Sequence, residues 1–389
     1  MRITGLQAFP LRLKAVKPGY AANQSTALPS SSTVIVRIET DSGISGLGEA
    51  AAGTVYFHQT MNGLLDWLRG YAKALDGADP LDRVDAHRRM DSVSGAHPPA
   101  CQPARAAIDI ALHDIAGKAY ECPVYELLGG AYRTEFDLQT NVYGDSPADM
   151  AKLCRTFVRK RYRGLKVKVG NVVRGKGLSA ESLKVEKNKL IAALRAVPDG
   201  VAIDADANQS WSNAKAAVRI IDEIQRDRFH ANLSLEQPLH HLDLEGHRYI
   251  RERLKIPVVL DESVLSPEAM IQIVRRAAAD RIVLKFNRVG GLGAARKVVA
   301  ICEAAGIGVS LDTMPFTLLG DTANAHLAAT IRDAYPADLE GFLWFADTPF
   351  RGGIELRAGR AHLSRAPGLG VELDEKKLKA MTIAPEAWR

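Results

Sequence analysis

Cysteine is scarce in this 389-residue chain: Cys101, Cys122, Cys154 and Cys302 are scattered, with no C-x-x-C spacing. That excludes a disulfide framework and a thiolate metal cluster as organising devices. No apolar run reaches the length of a membrane span and no leader-like segment follows Met1-Arg-Ile-Thr, so the expected setting is the cytoplasm, away from membrane. There is no G-x-S-x-G and no P-loop, and Gly290-Gly291-Leu-Gly293 lacks the third glycine of a dinucleotide fingerprint. It reads instead as a tight turn opening a helix. His113 and His326 fall inside helical segments, and His240 and His241 have no arguable partner. Aromatic residues make up 6% of the chain and do not interleave with its densest basic cluster, Arg155, Arg159, Lys160, Arg161, Arg163, Lys166 and Lys168. A stacking platform for nucleic acid is therefore not expected, despite a net charge of +6. An anionic small molecule, or plain solubility, accounts better for the charge.

What is present centres on Gly164-Leu-Lys-Val-Lys-Val-Gly170, a short apolar strand carrying two lysines at i and i+2. Alternation along a strand points both ammonium groups to one side. Like charges side by side, partly buried, each favour the other's deprotonation, which is how a lysine becomes a base near neutral pH. Two exposed lysines on an edge strand are the plain alternative.

Five further apolar runs end in charge: at Asp206, Glu236, Asp261, Lys285 and Asp312. The spacings of 30, 25, 24 and 27 residues suit one strand and one crossover helix each. The segments Asn213 to Arg226, Pro267 to Ala279 and Leu292 to Ala305 have helical character. Repeated strand–helix units give a parallel sheet that closes as a barrel, with chemistry at the C-terminal strand ends. Phe136 to Tyr143 is then the first strand and Gly341 to Ala346 the eighth. Strands two and six lie opposite each other, so Lys166 and Lys168 face Lys285 across the mouth. Asp206, Glu236 and Asp261 fill the arc between. Three convergent carboxylates without Cys or His suit a hard divalent cation such as Mg²⁺. Any one of them alone reads as an ordinary solvated or capping carboxylate.

The set Lys166-x-Lys168, Asp206-x-Asn208, Glu236-Gln-Pro238, Asp261-Glu262-Ser and Lys285-x5-Gly291 resembles the enolase superfamily. Within it, the set is similar to the muconate lactonizing enzyme subgroup of the mandelate racemase/muconate lactonizing enzyme family. The resemblance spans nearly the whole chain. It implies an α/β fold, a modified (β/α)7β TIM-type barrel with an N-terminal α+β capping domain. It implies Mg²⁺, with Mn²⁺ as the alternative, bound by Asp206, Glu236 and Asp261, and a homo-oligomer between dimer and octamer. It also implies removal of the proton α to a carboxylate, giving an enediolate held on the metal. Mandelate racemase-like members carry a histidine at the seventh strand; this chain does not, which favours two lysines. Lys168 and Lys285 then serve opposite faces, and Lys166 lowers the pKa of Lys168.

Before the repeats come a strand from Arg2 to Leu11, a polar loop from Lys14 to Ser32, a hairpin turning at Asp41-Ser-Gly43, and helices at Asn62–Leu75, Asp79–Met90 and Ala104–Tyr120. The expected domains are a cap over residues 1–133, a barrel over 134–356 and a segment over 357–389 that returns to the cap. By the resemblance, Tyr20 and Tyr56 reach the barrel mouth from the cap; packing is the alternative for both. Asn208 and Asp312 are polar neighbours of the centre, and Asp347 meets a substrate ammonium or caps the turn before Pro349. Leu284-Lys-Phe-Asn-Arg-Val-Gly-Gly and Met90-Asp-Ser92 are similar to hydroxyproline betaine epimerases and cis-3-hydroxyproline dehydratases. Those relatives carry Asp-x-Trp-Gly-Gly after strand seven, where this chain has Asp312-Thr-Met-Pro-Phe316, leaving Phe316 as the aromatic wall for an amine. The resulting expectation is a racemase or epimerase of a proline- or betaine-like amino-acid derivative. A dehydratase, a cycloisomerase and a non-catalytic oligomer on the same barrel are the alternatives.

Overall fold

Along Thr33-Val-Ile-Val-Arg-Ile-Glu-Thr40 the strand pattern has apolar residues on both faces, and the computed structural model of the chain gives the reason. It describes residues 1–16, 30–52, 59–95, 100–170, 179–211, 213–227, 229–333, 335–383 and 386–388. An antiparallel sheet is built from β1 (Ile3–Lys14), β2 (Ser30–Thr40) and β3 (Gly46–Ala52). On one face Val34, Val36 and Ile38 pack with Leu64, Leu68 and Tyr71 of the helix Met61–Leu75. On the other face Ile35, Phe9, Leu11 and Leu47 join a core that continues into the barrel. The sheet is thus covered on both sides, which alternation alone does not foretell.

The helix Gln102–Ala119 lies against β3, buried from Pro103 to Gly117 except for Arg105. Its approach is close enough that a Cβ on Gly48 would stand 1.8 Å from the carbonyl oxygen of Ala107. Three carboxylates join this unit to the rest. Glu49 accepts from Thr317 N at 2.8 Å and Gly320 N at 2.9 Å, closing the start of the helix Leu318–Ala329 from outside. Asp109 accepts from Gly293 N, and Asp114 from Leu47 N and Leu369 N.

The seven-stranded parallel sheet runs in the order β11-β10-β9-β8-β7-β6-β5. Its strands are β5 (Gln139–Val142), β6 (Gly164–Lys168), β7 (Ala202–Asp206), β8 (Leu233–Glu236), β9 (Val258–Leu260), β10 (Arg281–Leu284) and β11 (Gly308–Leu311). The expected first strand is cut in two at Leu138. Its front piece, β4 (Glu135–Asp137), leaves the barrel to pair with β14 (Arg360–Leu363). The eighth strand also differs from expectation. Gly341–Trp344 is a 3-10 turn, held there as Phe342 N donates to Asp321 Oδ2 at 2.9 Å. The ring is closed just upstream: Gln139 N bonds Ala337 O and Asp338 N bonds Leu311 O, so this stretch spans from β5 to β11. Near the C-terminus, β12 (Phe350–Gly352) pairs with β15 (Val371–Leu373), β13 (Ile354–Arg357) with β14, and β16 (Glu386–Trp388) with β1. The four cysteines are free, and among the described residues no helix is long and apolar enough to cross a membrane.

Candidate active site

Register places the central residues. Lys168 on β6 is level with Asp206 on β7, and Asp206 is level with Glu236 on β8. Asp261 and Lys285 follow the last residues of β9 and β10, and Asp312 follows β11. All seven side chains of the set lie at one end of the barrel, and Lys166, Asp206 and Glu236 have no exposed surface. Strand β6 can stand this close to β7 because position 170 is glycine: a Cβ there would be 2.0 Å from Ala207 O.

Each ammonium meets a carboxylate. Lys166 Nζ donates to Glu236 Oε1 at 2.9 Å and to Asp312 Oδ2 at 3.1 Å. Lys168 Nζ donates to Asp206 Oδ2 at 2.5 Å and lies 5.9 Å from the Tyr143 ring centre. Lys285 Nζ donates to Asp261 Oδ2 at 2.5 Å and pairs with Asp312 Oδ2 at 2.8 Å. Arg288, one helical turn beyond Lys285, donates to both Asp261 Oδ1 and Asp261 O. Burial, the largest influence, and Lys166 both push Lys168 towards its neutral form, but Asp206, Tyr143 and Glu236 together outweigh them and raise its pKa. The net is opposite to the lowering expected from two adjacent lysines, because the carboxylates of the next strands are within ion-pair reach. Burial likewise opposes the charge on Lys166 and Lys285, and Asp312 leads or joins the carboxylates that raise both.

Whether these residues suit a divalent cation turns on their oxygens. Among the described residues no three Asp, Glu, His or Cys side chains already converge as a metal cluster, since each carboxylate is drawn to its own ammonium. Yet Glu236 Oε2, Glu262 Oε2 and Asn208 Oδ1 are buried and accept no hydrogen bond. An all-oxygen set with spare lone pairs fits a hard cation. The backbone around it is strained: Asn208, Gln209 and Gln237 follow the ends of β7 and β8 with φ of 42°, 66° and 37°.

Sequence reasoning overlooked several members of this cluster. Strand alternation after Asp261 predicts that Glu262 points away from it; Glu262 does not, because β9 stops at Leu260 and alternation lapses. It meets Asn208 Nδ2 at 3.4 Å, and burial together with the Asp261 and Asp206 charges pushes it up to about 7. Gln237 receives Asp261 N at 2.9 Å and donates to Ser263 Oγ, fixing the loop that carries Asp261. Asp338, on the closing stretch, is buried against Asp312 and takes a hydrogen bond from Asn141 Nδ2 at 2.6 Å. Other expected residues lie elsewhere. Phe316 is 1% exposed and stacks on Phe286, ring centres 5.2 Å apart, inside the core. Asp347 is exposed and paired with Lys377. Tyr20 and Tyr56 fall outside the described residues.

Against known proteins, residues 14–129 match the model for the mandelate racemase / muconate lactonizing enzyme N-terminal domain, and residues 149–377 the enolase C-terminal domain-like model. A hydrophobic dipeptide epimerase of Enterococcus faecalis is 32% identical over 88% of this chain and 92% of its own length. Its crystal structure with Mg and the dipeptide L-Leu-L-Tyr superposes with a TM-score of 0.85 over 96% of this chain and 100% of that one, at 30% identity. The N-succinyl-L-Arg/Lys racemase of Bacillus cereus is 30% identical over 98% of both chains. Its crystal structure gives a TM-score of 0.89 over 100% of both, at 27% identity. The cis-3-hydroxy-L-proline dehydratase of Roseibium aggregatum is 29% identical over 95% of this chain and 96% of its own length. Muconate cycloisomerases also match. The matched relatives are thus isomerases and a dehydratase, and with both domain models satisfied the chain is an enzyme belonging to the mandelate racemase / muconate lactonizing enzyme family of the enolase superfamily.

Proposed function

We propose that the enzyme racemises or epimerises an N-substituted α-amino acid, with Lys168 and Lys285 moving the α-proton on opposite faces. The observation that carries this is their placement: β6 and β10 are four strands apart in a ring closed by an eighth segment, so the two lysines approach from opposite walls. Dipeptides, N-succinylated residues and hydroxyproline, on which the relatives act, share a carboxylate and a substituted nitrogen on the α-carbon. A proline- or betaine-like compound remains within that class.

Asp206, Glu236 and Asp261 would hold Mg²⁺. When bound, the cation supplies positive charge that offsets these carboxylates and the negative charge developing on the substrate carboxylate. With Asp206 offset, Lys168 is left buried beside Lys166, both of which favour its neutral form. Neutral Lys168 removes the α-proton, and the Lys285 ammonium returns one from the other face; the reverse sequence serves the other hand. Arg288 holds the Asp261 loop in place during turnover. The set works in a cytoplasmic homo-oligomer.

A dehydratase is the second reading, favoured by the two carboxylates, Asp261 and Asp312, that hold Lys285 as an ammonium. Lys168 would take the α-proton, the β C–O bond would break, and Lys285 would protonate the departing hydroxyl as water. The test is incubation with Mg²⁺ in D₂O and dipeptides, N-acylamino acids, proline derivatives and betaines of both hands, followed by NMR and polarimetry. Deuterium at the α-position with decaying rotation supports the racemase. Loss of water to an unsaturated or keto product supports the dehydratase. Absence of both across the panel contradicts this substrate class.

A further inference from the structure

Lys166, Lys285 and Asp312 come from three different strand ends, yet a single oxygen, Asp312 Oδ2, serves both ammonium groups: it accepts a hydrogen bond from Lys166 at 3.1 Å and lies in an ion pair with Lys285 at 2.8 Å. The other partner of each lysine is a carboxylate assigned above to the cation: Glu236 for Lys166 and Asp261 for Lys285. A carboxylate oxygen engaged by a dication offers little to a lysine. Asp312 has no such duty, so it is the partner that stays. It is itself held from two sides. Asn324 Nδ2 donates to its backbone carbonyl at 3.0 Å, and Asp338, fixed by Asn141, faces its carboxylate. Lys168 differs: Asp206 is the carboxylate on which it rests.

We infer that Asp312 is a positioning residue that keeps Lys285 in place at its face of the substrate, and Lys166 beside Lys168, once the cation has claimed Asp261 and Glu236. The inference rests on the two-lysine reading above but makes a separate claim about where two side chains stand. It predicts an asymmetry between the two faces. Losing Asp312 frees Lys285 and leaves Lys168 with the same surroundings except for a less constrained Lys166.

Two measurements on Asp312→Asn test it, with Asp312→Glu as a second variant that keeps the charge. The first is the crystal structure of the Mg²⁺-loaded wild type and variants. Lys285 Nζ and Lys166 Nζ should lie on Asp312 in the wild type and leave that position in Asp312→Asn, while Lys168 stays. The second is kinetics for each hand of a turned-over substrate. For the hand deprotonated by Lys285, the saturated rate of α-proton exchange should fall about 100-fold, the scale expected when a reacting group is misplaced by about 1 Å. KM should stay within about twofold, since ground-state binding is untouched. Exchange of the other hand's α-proton should persist, and Asp312→Glu should recover part of the loss. Unmoved lysines in Asp312→Asn, or an equal fall in α-proton exchange for both hands, overturn the inference. If no substrate is turned over but Lys285 moves as described, the reaction reading fails and the positioning role stands.

Discussion

Lys166 is the most confined of the three lysines, with no exposed surface and a carboxylate on either side. Its net charge balance explains why a chain would keep so many ionised groups out of water: each is compensated locally, and removing any one strands its partner. The same balance governs the cation. Asp206→Asn, Glu236→Gln and Asp261→Asn should each weaken Mg²⁺ binding by at least tenfold, roughly the lower end of what disturbing a metal site costs, as read by isothermal titration. Affinity unchanged in all three would remove them as ligands. At this scale the sequence was legible where strand alternation holds, as for Lys166 and Lys168, or where a charge ends an apolar run. It was not legible for Glu262, because the strand ends before Asp261 and the side chain turns back into the cluster. Nor was it for Asp347, whose partner Lys377 lies in a distant helix.

Among the elements, the helix Leu318–Ala329 is instructive. It is buried along its whole length, and its free N–H groups are closed by a glutamate from another sheet. Glu49 also takes the hydroxyls of Thr317 and Thr33, so four donors depend on it. Glu49→Ala should cost about 2–3 kcal/mol or more in denaturant unfolding, the usual penalty for leaving buried donors to a charged acceptor unpaired. A loss below about 0.5 kcal/mol, the range of ordinary surface substitutions, would mean those donors find other partners. The repeating strands and helices were readable because each unit repeats the same apolar run and charged end; Leu292–Ala305 has the very limits its pattern suggests. The closing stretch was not, since it is defined by backbone bonds to β5 and β11 rather than by any side-chain pattern.

For the whole molecule, buried histidines held neutral by their surroundings make stability respond to pH. His326 receives the backbone N–H of Tyr125 at Nδ1 and reaches Leu369 O with Nε2, which only a neutral ring can do. Burial pushes it from 6.5 to about 4, and burial does the same to His247. A folded pKa below the unfolded one means that this contribution is complete above pH 6.5 and is lost as pH falls towards 4. Each histidine is therefore worth roughly 3 kcal/mol of pH-dependent stability, at about 1.4 kcal/mol per pH unit across that window. His326→Gln should flatten the unfolding free energy against pH by one proton relative to wild type between pH 6.5 and 4, and an unchanged slope would contradict the neutral buried ring. That His326 packs inside a helix could be read from sequence; that it ties the helix Leu318–Ala329 to Tyr125 and Leu369 needed the fold.

The most direct test of the two opposed lysines is α-proton exchange in D₂O with Mg²⁺, measured for each hand of one turned-over substrate in Lys168→Ala and Lys285→Ala. Each variant should keep exchange of one hand, lose the other by about 10²–10⁴-fold, and abolish inversion, with the two variants giving opposite hands. Loss of the same hand in both, or continued inversion in either, would contradict the account.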